Sequence, residues 1–252
     1  MTSRLRTGAA LAALVIALAA PAPLAAAEVI RFQLWTADSL ALVGGYFRAP
    51  AGPRPIALLL HDRGQNGSAL VGLAETWQAL GLPVFLPDLR GEGGSRLSTA
   101  GPVPAAAAWA SPARALLARD LEALLAFADR QPDLAGRPGG IGAEGEACAL
   151  ALELMAGAGG ARYAAALLLS PLPTPDLTPA AGAVPQRLLL AACDQDEESL
   201  PALRALYARE AESAGEPGST RRLELAPCRS RGAHLLAASH ELPARFLRWL
   251  AP

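Results

Sequence analysis

The chain has 252 residues and a formal net charge of −1, from 22 basic and 23 acidic residues. No stretch concentrates five basic residues, so the charge pattern argues against a nucleic-acid partner. The cysteines Cys148, Cys193 and Cys228 form no Cys-x-x-Cys motif, and the three histidines lack a His-x3-His spacing. We therefore expect neither a metal site nor a cofactor.

Residues 1–27 have the pattern of a secretory signal peptide. Two arginines precede an uncharged apolar run at 9–20, and an A-x-A sequence follows at 25–27. The apolar run is short for a membrane span, which needs about 20 residues, so we expect cleavage rather than a membrane anchor. The sequence predicts an exported protein, periplasmic or secreted, with one mature domain of residues 28–252.

The first half of the mature part predicts a hairpin followed by a βαβ unit. Residues 29–35 and 40–47 are short segments rich in β-forming residues and predict the hairpin. Residues 54–61 and 82–89 are nearly continuous apolar runs, which are typical of parallel strands buried on both faces. Residues 68–80 lie between them and carry apolar residues at helical spacing.

The second half continues the alternation of strand and helix. Residues 91–111 predict a surface loop, and residues 112–130 predict an amphipathic helix that keeps Asp120 off its apolar stripe. The further predicted elements are strands at 137–143, 163–170, 187–193 and 221–228, and helices at about 145–156, 198–213 and 241–250. This order predicts an α/β fold with a predominantly parallel sheet.

Two motifs connect this pattern to a known family. "LLLHDRGQNG" (58–67) stands where an HG-type turn follows the third strand, and "PDLRGEGGS" (87–95) stands where D-x-R-G-H-G-x-S is usual, with Glu92 replacing the histidine. In these motifs and their order, the chain resembles the α/β-hydrolase family, specifically its small dienelactone-hydrolase-like and esterase-like members. The resemblance covers nearly all of the mature chain. It implies a twisted, mostly parallel sheet with helices on both faces and a minimal cap.

The resemblance also implies a nucleophile after the fifth strand, an acid after the seventh and a histidine after the last. Asp196 lies three residues past the predicted strand 187–193, and His234 lies six residues past the predicted strand 221–228. They match the acid and the histidine. A helix-capping loop acid and an ordinary surface histidine are the alternatives. His61, Asp62 and Gly145 match the region of the oxyanion hole.

The serine of the nucleophile turn is missing. The family motif G-x-S-x-G, laid on Gly142 to Glu146, puts Glu144 at the serine position. No serine or threonine occurs between Ser111 and Ser170. Cys148 lies one helical turn beyond the motif, where we expect a buried thiol.

Glu144 leaves three functional interpretations open. It could be a covalent nucleophile, a general base for water paired with His234, or an acid at a helix N-terminus in a site that has lost its chemistry. The leading hypothesis is an exported protein of esterase-like ancestry that has no serine-hydrolase activity and has a binding or scaffolding role, with a small molecule as the candidate ligand or substrate. The alternative is an active hydrolase of a small ester, lactone or epoxide that uses Glu144 with Asp196 and His234.

Cys193 and Cys228 each end a predicted strand, and the fold implied by the resemblance makes these strands neighbours about 5 Å apart. Disulfides bridge Cα separations of about 4.4–6.8 Å, and export would supply an oxidising compartment. The sequence therefore predicts a disulfide between Cys193 and Cys228, with Cys148 free. Buried free thiols are the alternative.

Overall fold

The computed structural model describes residues 28–49, 55–109, 114–130, 139–157, 160–175, 177, 187–211 and 221–250. The predicted signal peptide lies outside these residues, as does most of 171–185, a stretch rich in proline. Within the described ranges, no helix has both the length and the apolar character that crossing a membrane requires.

The centre of the molecule is an eight-stranded sheet with the strand order β1-β2-β4-β3-β7-β8-β9-β10. Strands β1, β2 and β4 pair antiparallel, and all other neighbours pair parallel. The bounds are β1 (Glu28–Trp35), β2 (Ala41–Arg48), β3 (Ala57–Leu60), β4 (Val84–Pro87), β7 (Gly139–Glu144), β8 (Tyr163–Leu169), β9 (Arg187–Cys193) and β10 (Arg221–Ala226). Two short strands, β5 (Leu97–Ser98) and β6 (Gly101–Pro102), form a separate hairpin.

Helices cover both faces of the sheet. They are α1 (Val71–Ala79), α2 (Ala105–Trp109), α3 (Arg114–Asp129), α4 (Ala147–Ala156), α5 (Leu200–Ala211) and α6 (Leu242–Leu250). Buried side chains of α3, α4 and α5 belong to one apolar cluster, and those of α1 and α6 belong to a second. The architecture is the α/β fold with a predominantly parallel sheet that the sequence predicted.

The degree of burial explains why the parallel strands were predictable. Every residue of β3, β4 and β7 is buried, because helices lie above and below them. Strand β1 lies at the edge of the sheet and is mostly exposed. Most side chains of β1 therefore contact solvent.

One prediction in this part of the chain was wrong. The predicted loop at 91–111 contains the hairpin β5–β6 and helix α2. Asp120, which lies off the apolar stripe of α3, is buried, and both its carboxylate oxygens accept hydrogen bonds from Arg90 at 2.6 and 2.7 Å. Arg90 also donates to both oxygens of Asp38, at 2.7 and 2.8 Å. A buried arginine therefore allows a carboxylate to lie on the inner side of α3.

Candidate functional site

The strand order places a crevice at the ends of β3 and β7. Strand β3 pairs with β4 on one side and β7 on the other, so the chain leaves β3 and β7 in opposite directions along the sheet. Open parallel sheets bind ligands outside the carboxyl ends of the strands at such a point. Asp62 follows β3 by two residues, and Glu144 is the last residue of β7. Both carboxylates therefore belong to this crevice.

The sharp turn between β7 and α4 is centred on Gly145, which has a φ of +59°. Glu144 is an ordinary strand residue paired with Leu169. Residues with a side chain rarely adopt a positive φ, whereas glycine does so without strain. The apex of the turn is therefore Gly145, one position after Glu144, the residue that the sequence motif put at the nucleophile position. The turn runs from Ala143 to Ala147.

The Asp62 carboxylate fills the space above Gly145. A Cβ atom built on Gly145 would lie 2.0 Å from Asp62 Cγ and 2.2 Å from each carboxylate oxygen. Asp62 Oδ1 accepts hydrogen bonds from the backbone N–H of Glu146 at 2.7 Å and of Arg63 at 2.8 Å. In this fold, the N–H that follows the nucleophile is one donor of the oxyanion hole. Asp62 therefore lies where a nucleophilic side chain and a substrate oxyanion would otherwise meet.

Glu144 points away from the turn, toward the loop after β10. Its Oε2 accepts a hydrogen bond from Ala233 N–H at 2.8 Å, and its Oε1 lies 3.4 Å from the donating N–H of Asp62. Burial raises the pKa of Glu144, while these N–H groups oppose the shift. Burial also raises the pKa of Asp62, against the N–H groups of Glu146 and Arg63. Two carboxyl groups with raised pKa values therefore lie next to each other in one crevice.

Asp196 is buried after β9, but His234 is not its partner. Asp196 Oδ1 accepts from Ser199 N–H at 3.2 Å and lies 3.6 Å from Arg231 Nε. Its other oxygen is buried without a hydrogen bond. The His234 side chain is exposed, and within the described part of the chain its ring makes no hydrogen bond. The acid and histidine of the expected triad are therefore not paired here.

The sequence reasoning overlooked Arg231, which takes the place beside Asp196. It also forms an ion pair with Glu198, and the hydrogen bond to that carboxylate raises the pKa of the guanidinium. The signal was available, since Arg231 stands only three residues before His234. An arginine beside a carboxylate competes with a histidine because it is always charged and offers several donors.

His61 positions the loop that carries Asp62. Its Nε2 accepts from Leu89 N–H at 2.9 Å, so the ring proton lies on Nδ1, which donates to the Asp62 carbonyl at 2.8 Å. Burial lowers the pKa of His61, in agreement with a neutral ring. Glu92 holds the same loop by accepting from Gly64 N–H at 2.9 Å. His61 and Glu92 therefore have structural roles.

The cysteines lie below and beside the crevice. The Cys148 thiol is fully buried against the carbonyls of Ala143 and Leu169, and burial raises its pKa well above the ordinary value. Such a thiol is a poor nucleophile. A disulfide joins Cys193 and Cys228 with a Cα separation of 4.9 Å. Cys228 lies two residues beyond β10 rather than at its end.

Two cavities meet at His234. One has a volume of about 150 Å³ and is lined by Asp62, Gln65, Ala69, Glu144, Gly145, Arg231, Gly232, Ala233 and His234. The other has a volume of about 260 Å³ and is lined by both polar and apolar groups, with Thr76 and His240 among its walls. They share Ala69, Ala233 and His234. We call the two together the cleft. It brings together Glu144, His234, Asp62 and Gly145, while Asp196 reaches it only through Arg231.

Among the described residues, no group of three or more His, Cys, Asp or Glu side chains could hold a metal ion. No protein-family model matches the sequence, and no curated protein matches it.

Solved structures match over most of the chain. An esterase from Pyrococcus furiosus is 13% identical, with a TM-score of 0.70, over 89% of this chain and 90% of that one. A dienelactone hydrolase from Anabaena variabilis is 18% identical, with a TM-score of 0.64, over 88% and 96%. A carboxyl esterase from Bacillus coagulans is 12% identical, with a TM-score of 0.68, over 88% and 97%. At these identities the likeness is one of fold: the chain has the α/β-hydrolase fold.

Proposed function

We propose that this is an exported α/β-hydrolase-fold protein that binds a small molecule in the cleft and has no serine- or cysteine-based hydrolase activity. The observation that carries the proposal is the Asp62 carboxylate above Gly145, bound to the Glu146 N–H at 2.7 Å. A serine or cysteine hydrolase of this fold needs a hydroxyl or thiol at this turn and a free N–H beside it. This turn offers neither.

No other hydroxyl or thiol replaces the missing one. The residues that line the cavity around Asp62 include no serine, threonine or cysteine. Ser170 is fully buried and its Oγ accepts the Gly232 N–H, while Cys148 is buried beneath the turn. The solved neighbours named as esterases or as a dienelactone hydrolase support descent from an esterase-like enzyme.

The second candidate is hydrolysis by Glu144 with Asp196 and His234. The raised pKa of Glu144 favours it, because a general acid or base works best when its pKa approaches the working pH. The separation of Asp196 from His234 by Arg231 argues against it, since the histidine lacks the carboxylate that would orient it.

Activity assays on the purified mature chain, residues 28–252, separate the two. We expect no turnover of chromogenic esters above the rate in buffer, and no labelling by a fluorophosphonate, which reacts with activated serines. Fluorophosphonate labelling of any serine, with ester turnover, would overturn the proposal. Turnover that both Glu144→Gln and His234→Ala abolish would establish the second candidate instead.

Export is tested separately. A fusion of residues 1–27 to a reporter enzyme that is active only outside the cytoplasm should give activity in a bacterial host. We expect the mature chain to begin near Glu28, as read by N-terminal sequencing. An inactive, uncleaved fusion would contradict export.

A further inference from the structure

Strand β1 is an open edge of the sheet and differs from the edge at the other end. β1 begins the strand order and β10 ends it, so each pairs with a single strand among the described residues. Edge strands expose backbone N–H and C=O groups that can pair with another chain, and charged side chains commonly prevent this. Strand β10 has three charged residues among its six, and two of them form an ion pair. Residues 29–35 of β1 include one charged residue, Arg31.

Exposed apolar side chains are concentrated on β1. Val29, Ile30 and Trp35 are 47%, 38% and 59% exposed, and they are three of the seven large apolar side chains that are exposed within the described residues. Val29 and Ile30 are adjacent in the strand, so their side chains point to opposite faces of the sheet. Neither face is therefore covered at this end of β1. A further strand paired with β1 would cover apolar side chains on both faces.

The residue order of β1 is complementary to itself in one antiparallel register. A two-fold axis perpendicular to the sheet keeps each face on its own side, so a residue can only lie opposite one of the same face in a second copy. The register in which Phe32 lies opposite Phe32 meets this condition. Its other cross-strand pairs are Val29 with Trp35, Ile30 with Leu34, and Arg31 with Gln33. Each apolar side chain thus faces an apolar one, and the arginine faces an amide.

The neighbouring registers lack this complementarity. The smallest slip that keeps the faces matched is two residues. In one direction it puts Arg31 opposite Arg31, and like charges directly opposite each other are destabilising. Within the protomer Arg31 lies opposite Gly45, which has no side chain to balance that charge. In the other direction, Val29 and Ile30 lie beyond the end of the second β1. The sequence of the strand therefore favours the register centred on Phe32.

We propose that two copies of this chain pair antiparallel along β1, in the register centred on Phe32, and join their sheets into one. Backbone hydrogen bonds between the two edges provide affinity, and the cross-strand side chains set the register. The interface is self-complementary and closes after two copies, because each protomer contributes the same strand. The inference goes beyond the proposed function and does not depend on it, since the cleft lies at the ends of β3 and β7.

Sedimentation equilibrium of the mature chain, residues 28–252, from micromolar to submillimolar concentration tests the pairing. We expect a monomer–dimer equilibrium. Gln33→Glu puts a carboxylate opposite Arg31 twice in each dimer, and should lower the Kd by roughly 2- to 30-fold. Gln33→Arg should raise the Kd, because it puts two arginines opposite each other. Combining Gln33→Arg with Arg31→Glu exchanges the two side-chain charges and should restore association.

The matched control is Gln195→Glu, the same substitution at an exposed glutamine in the loop after β9, which should leave the Kd unchanged. Hydrogen exchange gives a second measurement: N–H groups of β1 should become protected as the protein concentration rises, and those of β10 should not. A wild-type chain that stays monomeric would overturn the proposal without any variant. So would a dimer whose Kd responds to Gln33→Glu and Gln195→Glu alike, since its contact would then lie elsewhere.

Discussion

Two clusters of carboxylates in this molecule differ in the groups that stabilise their negative charge. In the arginine cluster, Arg90 donates to both oxygens of Asp38 and of Asp120, so a buried cation balances the acids. In the cleft, the hydrogen bonds that Asp62 and Glu144 accept within the described residues come from backbone N–H groups, and Arg231 pairs with Asp196 and Glu198 instead. The fixed positive charge of Arg90 gives the first cluster a structural role. In the second cluster, carboxylate oxygens that could still accept hydrogen bonds line the cleft, as is typical of a binding or catalytic site.

The largest expected effect comes from breaking the arginine cluster. Arg90→Leu leaves two acids facing each other without a cation, and we expect a loss of about 3–5 kcal/mol in the free energy of unfolding. The exposed pair of Arg48 and Glu28 is the control, and Arg48→Gln should cost less than about 1 kcal/mol. Urea titration measures both. Equal losses would show that Arg90 is no more structural than a surface arginine.

The next largest effect concerns the disulfide beside the cleft. The bond joins residues 35 apart, and replacing both Cys193 and Cys228 by alanine should cost roughly 3–4 kcal/mol by freeing the unfolded chain. Alkylation of the non-reduced mature protein, read by mass spectrometry, should label Cys148 alone after denaturation. Three labelled thiols would show that the bridge does not form.

A smaller effect isolates the contact between Asp62 and Gly145. Gly145→Ala should cost the strain of a positive φ, about 1–2 kcal/mol, plus a clash with Asp62. Gly64 is the matched control, because it has a φ of +79° and no atom near its Cβ position. Gly64→Ala should therefore cost the strain alone. Adding Asp62→Gly to Gly145→Ala should recover the difference, with a coupling of about 1–3 kcal/mol. Additive losses would place Asp62 elsewhere.

The smallest effect contrasts the pH dependence of the two clusters. Arg90 lowers the pKa of Asp38 to about 2, so the stability that Asp38 provides is present above its unfolded pKa and is lost as pH falls toward 2. Burial raises the pKa of Glu144, so its contribution becomes unfavourable as pH rises above its unfolded value near 4.5.

Unfolding free energies from pH 2 to pH 7 measure this contrast. Relative to the wild type, Asp38→Asn should lose stability as pH rises, and Glu144→Gln should gain it. If the unfolding free energies of the two variants changed with pH in the same way, the two clusters would not differ as described. A cation would then balance the carboxylates of both clusters or of neither.

The sequence predicted the sheet well and the site only in part. Strands such as β9 follow from continuous apolar runs, which are typical of parallel strands buried on both faces. The register of the turn could not be predicted once the serine was missing. Both 142–146 and 143–147 begin with a small residue and centre on a plausible turn, and only the φ of Gly145 distinguishes them.

The pairing at Asp196 was unpredictable for a related reason. The order of residues along the chain places Asp196 and His234 on neighbouring loops, but it does not give the direction of a side chain. The structure turns Arg231 toward Asp196 and leaves His234 exposed. In the same way, the resemblance implied that Asp62 lies near the oxyanion hole, and the structure shows that its carboxylate lies over Gly145.

The most direct test of the account is the backbone N–H of Glu146, followed by ¹⁵N–¹H NMR during a pH titration. Because this N–H donates to Asp62 Oδ1, its proton resonance should move downfield as Asp62 ionises. The midpoint should lie above the ordinary aspartate pKa, since burial raises that of Asp62. Asp62→Asn should abolish the titration, and Glu144→Gln should preserve it. A Glu146 resonance that ignores Asp62→Asn would contradict the claim that Asp62 occupies the nucleophile turn.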